Sequence, residues 1–245
     1  LRLVGSEMCI RDRSVTVPGA VDGWFALHER WGRLAMNDVL AAPISYANNG
    51  FPLTPVIAAG FESNRNRFDA VASMIEERDN ATKTYFPNGV APKAGAVFKN
   101  PDLAETLTAL AKHGRSAFYE GSIARAMVDY FESIDADLTL EDLTEHRGEW
   151  VEPRGVEYHG YTLYELPPNG QGFAALMMLN ILKQVDLRRF ERGSPELLHF
   201  MVEAKRLAFE AMAGTFADPA YSTIPIDALL SDEFAKRQFS RIRSD

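Results

Sequence analysis

Gly170, Gly172 and Ala175, inside the run LYELPPNGQGFAALMMLNILK (163–183), stand at the G-x-G-x-x-G/A spacing of a dinucleotide-binding loop. In such a loop the glycines admit a pyrophosphate to a helix N-terminus, on the first strand of a parallel βαβ unit. The spacing then asks for an acidic residue ending a second strand about 20 residues further on. This chain has VDLRRFERGSPEL there, a charged loop without an apolar strand, and Pro167 and Pro168 stiffen the approach to the turn. The glycines read instead as a sharp strand-to-helix turn packed on a sheet.

His28, His113, His146, His159 and His199 are the next candidates. HERWG at His28 begins like the zinc motif H-E-x-x-H, but no second histidine follows. His199 and Glu203, four apart on a helix, have metal-ligand spacing, and a helix-surface hydrogen bond accounts for them more simply. His159 beside Gly160 reads as structural. Cys9 is the only cysteine, which excludes an intrachain disulfide and a cysteine-based zinc site. No G-x-S-x-G elbow is present. Asp135, Asp137, Glu141, Asp142 and Glu145 sit in capping or loop contexts, where solvation explains them. These patterns supply no catalytic constellation, so no catalytic, cofactor-binding or metal-binding residue is assigned and no cofactor is expected.

The elements around these residues are well punctuated. Ala20, Trp24, Leu27 and Trp31 share one helical face. Asn37 is placed to cap the next helix, which Gly50 ends and Pro43 should break or kink. A further helix is expected between Thr54 and Ser73. FPNGVAPKAGAVFKNP (86–101) reads as a loop around a short strand. Asn100 and Pro101 open a helix with a Leu103, Leu107 and Leu110 stripe, stopped by Gly114. Gly121 and Ser122 begin another, with Ile123, Met127 and Phe131 on one side. Thr139 and Asp142 stand at capping-box spacing. GVEYHGYTLYELPP (155–168) is aromatic and β-branched: two short strands, or one long bent strand. Ser194-Pro195 starts a last strong helix, with Leu198, Met201, Val202, Ala208 and Phe209 toward the core. The sum is α+β with more helix than strand.

Composition sets outer limits. Of 245 residues, 46% are hydrophobic and 24% charged, enough for a substantial core. A net charge of −8 disfavours nucleic acid as a partner. The densest basic run, KQVDLRRFERG, interleaves Lys183, Arg188, Arg189 and Arg192 with Asp186 and Glu191, as a solvated loop does. The longest apolar run, Gly172 to Leu182, is too short for a membrane span and contains Asn180. Residues 1–13, LRLVGSEMCIRDR, lack periodicity and resemble translated sequencing-adapter DNA. They are read as non-native, with the true frame entering near Ser14.

Taken together, five ordered motifs resemble the large-chain region of the gamma-glutamyltransferase (gamma-glutamyl transpeptidase, glutathione hydrolase) family. They are VTVPGAVDGWFALHERWGRL (15–34), APISYANNGFPLTP (42–55), NPDLAETLTALAKHGRSAFYEGSIARAMV (100–128), LTLEDLTEHRGEWVEPRGVEYHGYTLYELPPNGQGFAALMMLNIL (138–182), and LHFMVEAKRLAFE with ADPAY (198–221). The resemblance spans residues 14–245 and implies part of an N-terminal-nucleophile (Ntn) hydrolase, an αββα sandwich, of which this is a helix-rich large-subunit portion. Such a proenzyme cuts itself to expose a threonine that attacks a γ-glutamyl amide, as in glutathione, and its small subunit stays as partner.

Carried over residue by residue, the family's machinery finds no place here. Its nucleophilic threonine would lie beyond Asp245, and its carboxylate-binding arginine before the VPGAVDGW motif. The fragment is thus expected to be truncated at both ends, inactive alone and poorly soluble. It should show an unpaired sheet edge and an exposed apolar face. Members occur both exported and in the cytoplasm, so the resemblance names no compartment. Two details depart from the usual pattern. Ala211, Met212 and Gly214 replace polar residues, suggesting a lost contact or a helix ending early at Gly214. The Asn-Gly-Gln-Gly turn leans toward oxamate amidohydrolase-like members, making a related amidohydrolase or acylase the second reading. A non-catalytic scaffold is the third.

Overall fold

The computed structural model describes residues 16–74, 78–168 and 170–243. Residues 1–13, read above as non-native, lie outside them. The described residues divide into two compact units, 16–148 and 149 onward.

The first unit is helical. Helices α1 (Ala20–Trp31), α2 (Met36–Asn49), α3 (Pro55–Ala70), α4 (Asp79–Tyr85), α5 (Pro101–His113), α6 (Ser116–Tyr119), α7 (Ser122–Ser133) and α8 (Leu140–Glu145) surround one small ribbon. In it β1 (Phe51–Pro52) pairs antiparallel with β2 (Val97–Phe98). Local chemistry sets several helix ends. Asn100 Oδ1 accepts from Leu103 N–H at 3.0 Å, and Thr54 Oγ1 from Ile57 N–H at 3.3 Å, each with proline at the first helical position. Thr139 and Asp142 form the reciprocal capping box expected of them. The core joins Val21, Leu40, Leu107, Leu110, Ala117 and Tyr119, chiefly where α2 lies on α5.

Two local expectations are corrected in this unit. Helix α2 begins one residue before Asn37, after an extended Ala35, so Asn37 is no cap. Pro43 does not break α2, which runs on to Asn49. Pro43 and Val39, whose carbonyl loses its helical donor to the proline, are exposed to water, while Leu40 and Ala47 stay anchored in the core. The Trp24, Leu27 and Trp31 stripe of α1 faces outward, each side chain about half exposed, whereas Val21 and Asp22 are buried.

In the second unit, β3 (Arg154–Tyr158) and β4 (Tyr161–Glu165) form an antiparallel hairpin in register from Arg154↔Glu165 to Tyr158↔Tyr161. Of the two sequence alternatives the hairpin is the one realised. His159 (φ 50°) and Gly160 (φ 85°) both adopt left-handed backbone, which twists a two-residue turn to suit its strands. Helix α9 (Phe173–Leu182) follows and is buried nearly all round, against the hairpin, α10 (Pro195–Thr215) and α12 (Asp232–Phe239); α11 (Ile226–Leu229) completes the unit. Each large apolar side chain buried there contributes about 1.5–3 kcal/mol. Asn180 is tolerated because its Nδ2 donates to Leu230 O at 2.9 Å.

Helix α10 corrects the sequence reading in two ways. Leu198, Met201 and Val202 are exposed, and the core is reached by Ala204, Leu207, Ala208 and Met212. The helix also passes Gly214 and ends at Thr215, because Met212 is buried and holds the last turn down. Among the described residues β3 and β4 pair only with each other, leaving outer edges free, and Tyr161 and Tyr164 are exposed. The exposed apolar surface called for above is present on these strands.

Candidate functional site

The strand-to-helix turn is built around Glu165, the last residue of β4. A Cβ added at Gly172 would lie 2.8 Å from Glu165 Cδ and closer still to Oε2. Gly172 has ordinary right-handed backbone (φ −55°), so a side chain there would disturb only the nearby Glu165 carboxylate, which is free to move. A negative side chain thus lies against the start of α9, where the helix dipole favours it. A pyrophosphate would meet that charge, and the strand belongs to an antiparallel hairpin. The dinucleotide reading of Gly170, Gly172 and Ala175 is set aside on both counts. Gly172→Ala is expected to cost less than about 1 kcal/mol, because only the flexible end of Glu165 must swing aside, and adding Glu165→Ala should recover that cost. Additive losses in this double-mutant cycle would show that the two positions do not compete for space.

The strongest polar constellation lies in the first unit. Asp22, in the first turn of α1, is buried. Its Oδ1 accepts from Arg115 Nε, and its Oδ2 from Gly148 N–H at 2.7 Å. Arg115 also donates to His146 O and lies over the Tyr119 ring, 4.3 Å from its centroid. Tyr119 Oη donates to Pro18 O at 2.6 Å and accepts from Asp22 N–H at 3.1 Å. Helix α1 has only Gly19 at its cap position, so Tyr119, far away in sequence, satisfies one of its free N–H groups. The His146 ring stacks on Tyr119 at 5.4 Å, with Nε2 buried and unbonded among the described residues.

Electrostatics assigns this cluster its role. Burial pushes the Asp22 carboxyl up, but the Arg115 hydrogen bond, the Gly148 N–H and the Arg115 charge outweigh it and hold Asp22 below the ordinary range. Burial pushes the Tyr119 phenol up, so it stays neutral. An ionised carboxylate saturated by donors is a poor proton acceptor. The cluster acts as a clamp joining α1, α6 and the segment after α8. Its members lie up to 126 residues apart in contact, as Asp22 and Gly148 do, and no local motif could have announced it.

The remaining candidates are dispersed. His28 Nε2 donates to Leu34 O at 2.7 Å and His113 lies in the last turn of α5. His159 packs against Tyr158 in the hairpin turn. His199 bonds Arg243 O at 2.6 Å instead of Glu203, which is held by Arg206 at 2.8 Å. Asp135 has left-handed backbone just after α7, and Glu141, Asp142 and Glu145 lie on α8. Among the described residues no group of three or more His, Cys, Asp or Glu side chains could hold a metal ion. No helix among them is long and apolar enough to cross a membrane.

Similarity to solved structures defines the class. The cephalosporin acylase of Bacillus halodurans superposes with a TM-score of 0.83 at 34% identity, over 95% of this chain and 43% of that one. A gamma-glutamyltranspeptidase from Pseudomonas nitroreducens superposes with a TM-score of 0.82 at 28% identity, over 99% and 68%. The chain is therefore a helix-rich α+β portion of an N-terminal-nucleophile hydrolase. The family model for Gamma-glutamyltranspeptidase matches residues 5–245, and the chain belongs to that family. The glutathione hydrolase-like YwrD proenzyme of Bacillus subtilis (strain 168) is 39% identical over 226 residues, 92% of this chain and 42% of the relative. The chain thus spans about two-fifths of that relative's length.

Proposed function

We propose that this chain is the large-subunit scaffold of a self-processing enzyme that cleaves γ-glutamyl amide bonds, glutathione among them. The observation that carries the reading is the match of residues 5–245 to one family model. The exposed hairpin edges and apolar stripes support it, because they suit a sheet and core completed by a small subunit cut from the same precursor. In this reading the threonine hydroxyl, in the small subunit, attacks the amide carbonyl while its own α-amine takes the proton. Backbone N–H groups steady the oxyanion, and the γ-glutamyl ester is released to water or to an amino acid or peptide. The residues described here hold the scaffold, and the nucleophile and the carboxylate-binding arginine lie outside this sequence.

A second reading, a related amidohydrolase or acylase, rests on the higher identity to the cephalosporin acylase than to the Pseudomonas nitroreducens enzyme, 34% against 28%. One experiment tests both. The reading frame is recovered downstream of Asp245, the completed protein expressed, and its intact mass and N-terminal sequences measured. Two chains, the smaller beginning with threonine, are expected, with turnover of a γ-glutamyl anilide. Processing with turnover of acyl amides alone selects the second reading. A single uncut chain leaves a non-catalytic scaffold.

A further inference from the structure

An open cleft of about 970 Å³ lies between α3 and α4, wholly within the first unit. Helix α3 lines it with two rails. Ile57, Phe61 and Phe68 form an apolar rail, and Gly60, Asn64 and Arg67 run beside it at i, i+4, i+7. Tyr85 and Phe86 close the other wall. Phe86 is buried and meets Phe61 edge-on at 6.5 Å and Phe68 at 6.1 Å, so the aromatic wall is packed from behind.

Two features point to an occupant. Gly60 stands mid-helix, where glycine weakens the helix, yet a Cβ there would meet nothing within 4 Å. No close approach within the described residues demands it, and without a side chain it leaves bare backbone on the cleft wall, where a methyl would fit and a large side chain would fill the space. The second feature is charge. Arg65 and Arg78 are both paired with Asp69, at 2.8 and 3.4 Å. Arg67, on the cleft rim, has no ion pair among the described residues. Gly60 and Arg67 are two helical turns apart, about 10 Å along the axis.

We propose that this cleft binds a small amphipathic carboxylate, its acyl or aryl body laid along Phe61 and Phe68 over Gly60 and its carboxylate held by Arg67 with Asn64 beside it. The size, apolar walls and few polar groups are those of a small-molecule site. The guanidinium supplies the two-pronged donor set a carboxylate accepts.

Calorimetric titration of the native-length protein with octanoate, and with octanamide as its neutral counterpart, tests this without reference to catalysis. One saturable octanoate site is expected. Arg67→Met should weaken octanoate at least about tenfold and octanamide by no more than about twofold. Gly60→Ala should bind like wild type, whereas Gly60→Phe should bind neither ligand while keeping its cooperative melt. If Gly60→Phe does not fold, the octanoate–octanamide split in Arg67→Met decides alone. Absence of saturable binding to wild type, as expected if another polypeptide segment fills the cleft, would overturn the proposal. So would equal losses for both ligands in Arg67→Met, or unchanged binding in a folded Gly60→Phe.

Discussion

Asp22→Ala is expected to destabilise the protein by about 3–5 kcal/mol, the usual cost of leaving one partner of a buried ion pair alone. The Asp22 and Arg115 side chains are 10% and 22% exposed, so water cannot replace the carboxylate at little cost. The substitution strands the Arg115 guanidinium and the Gly148 N–H and loosens the start of α1. Urea unfolding at neutral pH should show a lower midpoint with an unchanged slope. Pairing Asp22→Leu with Arg115→Met should recover part of the loss, because no lone charge remains buried. A change within about 0.5 kcal/mol in Asp22→Ala would mean the clamp contributes nothing beyond a surface pair.

The same cluster sets a pH dependence. Asp22 binds its proton more weakly in the folded than in the unfolded chain. Its contribution is therefore complete above the ordinary carboxylate range near pH ~4 and is lost as pH falls through and below that range. Asp142, Glu203 and Glu210 are also held low, by hydrogen bonds from Thr139, Arg206 and Arg241 respectively. Asp142 and Glu210 are exposed and Glu203 is partly buried beside an exposed Arg206, so screening leaves each a minor part of the acid limb. Asp22→Asn should flatten that limb more than Glu203→Gln does. An identical limb in both variants would assign the acid sensitivity elsewhere.

Phe173→Ala carries the second large effect, about 3–5 kcal/mol. Phe173 is fully buried at the start of α9, within the cluster formed by Val156, Leu176, Met177, Ala208 and Met212. Phe216 packs on it at 5.5 Å, so truncation opens a cavity between hairpin and helices that neither can close. Leu198→Ala on the exposed stripe of α10 is the contrast. In the 245-residue chain it should change stability by less than about 0.5 kcal/mol. In the completed protein of the proposed function the same stripe is covered, and the cost should rise to about 2–5 kcal/mol. Equal effects in both contexts would argue that the stripe stays in water.

Much of the fold was legible because helix ends are local chemistry. Asn100, Thr139 and Ser194 cap the helices that follow them, since a side-chain oxygen needs only the N–H groups two or three residues on. The two strands of the hairpin were legible for the same reason, although the choice between a hairpin and one bent strand waited on the His159-Gly160 turn. Inward faces were less legible. Helices α1 and α10 carry apolar residues on more than one side, and periodicity cannot say which stripe the neighbours cover. The break expected at Pro43 does not occur, its local cost being outweighed by packing of α2 on α5.

Sequence by itself determined the family, through five motifs in one order, and most of the helix boundaries. It also showed that the G-x-G-x-x-A spacing lacks the second strand a nucleotide fold requires. The tertiary structure decided which faces are core, that Glu165 lies against the Gly172 turn, that α3 keeps an open cleft beside Gly60, and that Asp22, Arg115 and Tyr119 form one clamp. The reason is physical: capping and turn formation depend on neighbours within a few residues, whereas burial and ion pairing depend on groups about a hundred residues away, brought together only when the chain packs.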